Sequence, residues 1–266
     1  MVYELRKVGT SESQSYPAQL FALIGRSAGQ LTRSPTAPHR AAATRRLRTQ
    51  ALWLLAIGAV LIPALMFGFD ATEISLMPPR GAPSAWPARA ITDFGKDSYV
   101  LMALAAALIV MALAYPVLQG SARNRLLRFA THVEYLFFAL ALPIAFSEVI
   151  KYVVGRGRPF VGGKANPFNF APFTGTEAYF SFPSAHSVTA FALALGVGSI
   201  WPRWRMPMFI YAVAIALSRL VMLAHHPSDV VGGAVLGLVG ALAMRAWFAG
   251  REIGFTIEEN GKIVPR

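Results

Sequence analysis

The chain has 266 residues, is 55% apolar with only 14% charged residues, and carries a formal charge of +12. It contains no cysteine, which excludes a disulfide framework, a Cys-ligated metal and a thiol nucleophile. Its arginines cluster at the ends of apolar blocks, which reads as membrane topology and sets nucleic acid aside as a partner.

Residues 1–50 are rich in Ser, Thr, Pro, Ala and Arg, and are expected to form a poorly ordered basic cytoplasmic arm that touches anionic headgroups. They lack the apolar core of a cleavable signal peptide, so the first apolar block is expected to act as an uncleaved anchor. Six blocks follow: Leu52–Phe69, Tyr99–Leu118, Val133–Val154, Val188–Trp201, Met206–Leu223 and Val230–Trp247. Each is long enough, or nearly so, to cross roughly 30 Å of hydrocarbon at about 1.5 Å per residue. The predicted fold is therefore all-α, a bundle of six transmembrane helices within residues 51–250, followed by a cytoplasmic tail at 251–266.

Arg45, Arg46 and Arg48, then Arg123, Arg125 and Arg128, then Arg203 and Arg205, and finally Arg245 and Arg251 all fall on one side of such a bundle. The positive-inside rule makes that side cytoplasmic and puts both termini there, in a bacterial inner membrane. The external segments are then about 70–98, 155–183 and a tight turn at 224–228. In the first, "AWPARAITDFG" suits a short amphipathic piece at the bilayer surface, with Trp86 and Phe94 as anchors. The second, with aromatics spaced by Gly and Pro, suits a structured loop.

Three polar clusters stand at the outer ends of these blocks: Lys151 with Arg158, Ser184 with His186, and Arg219 with His225 and Asp229. Lys151, Arg156 and Arg158 have a plain reading as snorkelling anchors, and His225 with Asp229 one as a structural pair. Arg219 interrupts the fifth block, where a guanidinium needs an anion. Together the clusters supply the parts for handling phosphate. Lys151, Arg158 and Arg219 surround its oxygens, and the start of the fourth helix adds Ser184 and the amide of Ala185. No metal or cofactor is needed, because three cations neutralise the developing charge. Glu148 reads as the helical neighbour of Lys151. His225 is the best candidate nucleophile, with Asp229 on its second nitrogen and His186 as acid and base; His226 is expected to fill a spacing position at the membrane interface.

The patterns K-x6-RP (Lys151 to Pro159), PSAH (Pro183 to His186) and SR-x5-H-x3-D (Ser218 to Asp229) resemble the three-part signature of the type 2 phosphatidic acid phosphatase superfamily. The resemblance runs from the first apolar block to the end of the sixth, in order and in register. It implies a six-helix membrane fold and metal-independent phosphoryl transfer through a phosphohistidine, with His225, His186 and Asp229 catalytic and Lys151, Arg158, Ser184 and Arg219 on the phosphate. The long apolar blocks favour its membrane branch over the soluble acid phosphatases and haloperoxidases. One position departs: Ala185 stands where the family has glycine. In a first helical turn the change costs little; where glycine-only geometry is required, activity suffers.

The expected activity is removal of phosphate from a membrane lipid: phosphatidic acid, phosphatidylglycerophosphate, undecaprenyl diphosphate or a lipid A phosphate. A phosphotransferase of the same fold is the near alternative. A transporter using the same cations is the distant one, and it gives no role to two histidines and an aspartate.

Overall fold

The computed structural model describes residues 15–163 and 165–266, and within them the chain is mostly helical. Helix α1 (Tyr16–Thr32) opens with a proline in its first turn and is followed by α2 (Ala37–Gly68), α3 (Asp70–Leu76), α4 (Trp86–Asp93) and α5 (Asp97–Ala114). Then come α6 (Gly120–Val154), α7 (Ala185–Ile200), α8 (Arg205–Val221) and α9 (Pro227–Gly250). The chain ends in a two-stranded antiparallel hairpin, β1 (Phe255–Ile257) with β2 (Ile263–Pro265).

Two expectations change here. Residues 15–50, read as a poorly ordered arm, form α1 and the first turns of α2; the arm before residue 15 lies outside the described residues. Pro17 and Pro38 in first turns and the alanines of α2 favour helix, and α1 is tied down where Ser27 donates to Glu134 at 2.5 Å and Tyr16 to the Leu113 carbonyl at 2.7 Å. The tail, in contrast, is not helical. Its hairpin inserts the fully buried Phe255 against Tyr135 of α6, ring centroids 4.8 Å apart, so the fold is all-α except for this hairpin.

Among the described residues, five segments are long and apolar enough to cross a membrane: Ala37–Gly68, Pro83–Ala114, Gly120–Val154, Pro202–Val221 and Pro227–Gly250. The 16-residue α7, read from sequence as a span, is shorter. It packs against α6, α8 and α9, and Val188, Ala190 and Ala192 are fully buried. A helix enclosed by others meets protein rather than lipid along its length, so its length is not set by the bilayer. On α2 and α5, by contrast, Leu52, Trp53, Val60, Tyr99, Ile109 and Val110 are exposed. Helices that present apolar side chains outward in this way belong in lipid, and the chain is a multi-pass membrane protein.

Glycines bring the central helices together. A Cβ at Gly233 of α9 would stand 2.4 Å from the Ser184 carbonyl, and one at Gly237 would stand 2.3 Å from that of Val188. Only glycine allows such a backbone approach, so this stripe holds α9 against the start of α7.

Candidate active site

Lys151 lies in the last turn of α6, which stops at Gly155 in a left-handed conformation (φ 55°). A Cβ there would meet the Ala171 carbonyl at 2.1 Å, and the Gly155 carbonyl accepts from the Ala171 amide at 2.7 Å. The loop that follows is ordered as expected. Gly157 donates to the Asn169 carbonyl, Arg158 to that of Ala178 and Ser181 to that of Arg156. It delivers the chain to Ser184, the N-cap of α7, leaving the amides of the first turn free of intrahelical partners. Ala185 is the first residue of that helix and is not among the residues with positive φ, so no glycine-only geometry arises there.

The third cluster is set by a tight turn. Helix α8 ends at Val221, Leu223 adopts a left-handed φ of 50°, and the Ala224 amide returns to the Arg219 carbonyl at 3.0 Å. Pro227 then opens α9. Arg219 and His225 are thus neighbours in space, both buried. Electrostatic interactions join His186 to Arg219, Lys151, Lys96 and Arg158, and join His225 to Arg219, Arg158 and His186. The three clusters read from the sequence come together here, and Lys96, not singled out before, lies near enough to act electrostatically on His186 while itself paired with Asp93 at 2.8 Å.

Lys151 contacts Glu148 at 2.6 Å, as its spacing implied, and Arg158 contacts Glu177 at 3.2 Å. Arg219 donates through Nη1 to Thr92 Oγ1 of α4 at 2.7 Å, while its Nε is buried without a partner. Among the described residues, Ser184 Oγ and His186 Nε2 likewise find no hydrogen-bond partner though buried. Unpaired buried polar atoms are costly in a structural role, and three of them lie together in this cluster.

His225 Nδ1 lies 2.8 Å from the Ser181 carbonyl. A carbonyl can only accept, so Nδ1 carries the proton and Nε2 keeps its lone pair. Burial, then Arg219 and Arg158, push the His225 imidazolium well below the usual histidine range, so the ring is neutral at pH 7. Here the expectation for Asp229 needs correcting. Its Oδ2 is 4.0 Å from His225 Nδ1, too far for a hydrogen bond. That oxygen instead accepts from Ser181 Oγ at 2.6 Å and from the His226 amide at 2.9 Å. Asp229 is therefore linked to the His225 imidazole through Ser181, whose hydroxyl it holds and whose carbonyl holds the ring. His226 is fully buried beside this network rather than at an interface, and burial lowers its pKa.

Arg156, read as one of three possible anchors, is 2% exposed and lies under the site. Nη1 donates to Asp229 Oδ1 and Ser228 Oγ, both at 2.6 Å, and Nη2 to Asp70 Oδ2 at 2.8 Å. Nε and Nη2 both reach the Pro167 carbonyl, at 3.1 and 2.9 Å. Asp70 also accepts from the Ser228 amide at 3.0 Å and from the Ser228 hydroxyl. Arg156, Asp70, Ser181, Ser228 and Thr92 were absent from the sequence-predicted site. Two signals pointed toward them: an arginine between two glycines on the expected outer side, where anchoring arginines are disfavoured, and an aspartate at the end of the first apolar block.

Residues 133–253 match the model of the PAP2 superfamily. A lipid A 1-phosphatase of Rhizobium etli is 32% identical over 213 residues, spanning 76% of this chain and 83% of that one. A second, from Rhizobium johnstonii, is 29% identical over 204 residues, spanning 76% and 79%. The crystal structure of a transmembrane PAP2-type phosphatidylglycerolphosphate phosphatase from Bacillus subtilis superposes with a TM-score of 0.52 at 20% identity, covering 73% of this chain and 94% of that one. With the three motifs assembled at one end of a matching bundle, the chain belongs to the PAP2 superfamily, as one of its membrane-embedded phosphoric ester hydrolases.

Proposed function

We propose that the protein removes phosphate from a membrane lipid through a phosphohistidine at His225, without a metal. The observation that carries this reading is the set of buried, unpartnered atoms Ser184 Oγ, His186 Nε2 and Arg219 Nε beside a histidine whose Nε2 keeps its lone pair. His225 Nε2 attacks phosphorus as the bond to the leaving oxygen breaks, and His186 gives that oxygen its proton. The incoming phosphate offsets the surrounding cations and so favours the protonated imidazole at His186. The new imidazolium keeps its Nδ1 proton on the Ser181 carbonyl. His186 then takes a proton from water as it attacks the phosphohistidine, releasing phosphate and restoring both rings. Lys151, Arg158, Arg219, Ser184 and the Ala185 amide hold the nonbridging oxygens.

Both named rhizobial relatives are lipid A 1-phosphatases, which makes a lipid A 1-phosphate the first substrate to assay, with phosphatidylglycerophosphate, phosphatidic acid and undecaprenyl diphosphate beside it. The chain is read as six spans with both termini in the cytoplasm of a bacterial inner membrane and the site at the outer interface, α7 being the short span. Residues 1–50 and 251–266 flank the catalytic bundle. Reporter fusions after Arg125 and Gly163 are expected on opposite sides.

The test is phosphate release by purified protein in detergent with chelator present. The parent releases phosphate from at least one of these lipids, and His225→Ala and His186→Ala lose it by several orders of magnitude. Undiminished release by His225→Ala refutes the covalent route, and a requirement for divalent metal refutes the cation-only account.

A further inference from the structure

At the end of α9 far from His225, a cavity of about 420 Å³ opens between that helix and the first turns of α2. The 24 residues of α9 place it about 36 Å from the phosphate site, roughly a bilayer's thickness away. Its floor is small and apolar, formed by the buried Ala43, Ala246 and Gly250. Its rim is basic and hydroxylated, with Arg40, Arg251, Ser34 and Thr44, and none of its lining residues is acidic.

Among the described residues the two arginines have no counterion. Arg251 lies over the ring of Trp247, 3.4 Å from its centroid, and Nη1 reaches the Trp247 carbonyl at 3.3 Å. Its Nε is buried with no hydrogen-bond partner, and neither Arg251 nor Arg40 forms an ion pair among the described residues. A planar cation held on an aromatic face, a second cation and two hydroxyls lining the same cavity match the needs of a phosphate. The apolar floor and the course of α2 identify the kind of phosphate. Just beyond Leu47, Leu52 and Trp53 are 55% and 69% exposed, a lipid-facing track on which acyl chains can lie. The volume suits a headgroup and glycerol, and the lining residues include no histidine to act on it.

We propose that this cavity binds the phosphate of an anionic phospholipid headgroup from the leaflet opposite the catalytic site. The α1–α2 link supplies Ser34 to its rim, so a bound lipid also fastens the N-terminal helix to the bundle. The inference does not depend on the hydrolysis reading, because its readout is binding rather than turnover.

The experiment measures binding of phosphatidylglycerol, phosphatidylcholine and inorganic phosphate to the full chain in a neutral detergent, by native mass spectrometry and by the shift in Tm. Phosphatidylglycerol is expected to bind at least tenfold more tightly than phosphatidylcholine. In Arg40→Gln/Arg251→Gln that preference disappears while phosphate release at the other end is unchanged. Because Arg40 is exposed, Arg40→Gln alone is expected to fold as the parent does and to lose part of the preference. Equal affinity for the two lipids, a preference that survives in the double variant, or inorganic phosphate binding as tightly as phosphatidylglycerol overturns the proposal.

Discussion

Replacing Arg156 by methionine removes five donor contacts while keeping much of the side chain's length. The guanidinium is 2% exposed and is the shared cation of two carboxylates, Asp70 and Asp229, that are fully buried. Removing one member of such a group leaves uncompensated buried charge, a loss of about 3–5 kcal/mol. That is a large share of the roughly 5–15 kcal/mol that stabilises a typical folded protein. Lysine is expected to restore little, because one ammonium cannot reproduce the fork that meets Asp229, Asp70 and the Pro167 carbonyl together. The assay is reversible unfolding in detergent alongside kcat and KM. Asp229 loses its anchor, so kcat falls while the phosphate ligands, and with them KM, change less. Adding Asp70→Asn to Arg156→Met removes one stranded charge and is expected to recover about half of the lost stability. A stability within about 1 kcal/mol of the parent for Arg156→Met, or no recovery on adding Asp70→Asn, refutes the reasoning.

Three further outcomes are expected. Glu73 is buried with neither carboxylate oxygen hydrogen-bonded among the described residues, and burial, then Asp70 and Asp229, raise its pKa from 4.5 to about 7. The folded state thus holds a proton that the unfolded state releases, and stability falls as pH rises from about 4.5 through 7. Glu73→Gln should match the parent at pH 4.5 and exceed it by about 3 kcal/mol at pH 8, as read by denaturant titration at each pH; a constant gap would show that Glu73 does not titrate in this range. Thr92→Val strands a donor of Arg219 and is expected to raise KM about tenfold with a smaller change in kcat, and Thr92→Ser to keep the parent value; an unchanged KM in the valine variant would remove Thr92 from the positioning of Arg219. Ala185→Gly is expected to leave turnover within about twofold and to lower stability by less than about 1 kcal/mol, since the position is the first of a helix; a large gain in turnover would mean that the methyl obstructs the phosphate.

What was legible in the sequence were features whose cause is local. Lys151, Ser184, His186, Arg219 and His225 stand at or beside helix ends and Arg158 in the loop just after one, so short spacing along the chain largely sets their place. The buried support was not legible, because its pairings are distant. Asp70 meets Arg156 across 86 positions and Thr92 meets Arg219 across 127, and no periodicity records which loop carbonyl will face His225. Composition also hid real structure. The arm reads as polar and low in order when averaged, yet Leu20, Phe21 and Ile24 fall at helical spacing, and Asn260-Gly261 between Phe255–Ile257 and Ile263–Pro265 is a hairpin signal.

The acidic neighbours of Lys151 and Arg158 bear on how a substrate enters. Glu148 and Glu177 hold these cations from the rim, with side chains 50% and 86% exposed, whereas Asp70 and Asp229 are sealed against Arg156. On the proposed function, an arriving dianion takes the place of these two carboxylates, which return to solvent, while the cations themselves stay largely shielded. On that reading entry is an exchange of anions, and the same glutamates reclaim the cations when phosphate leaves.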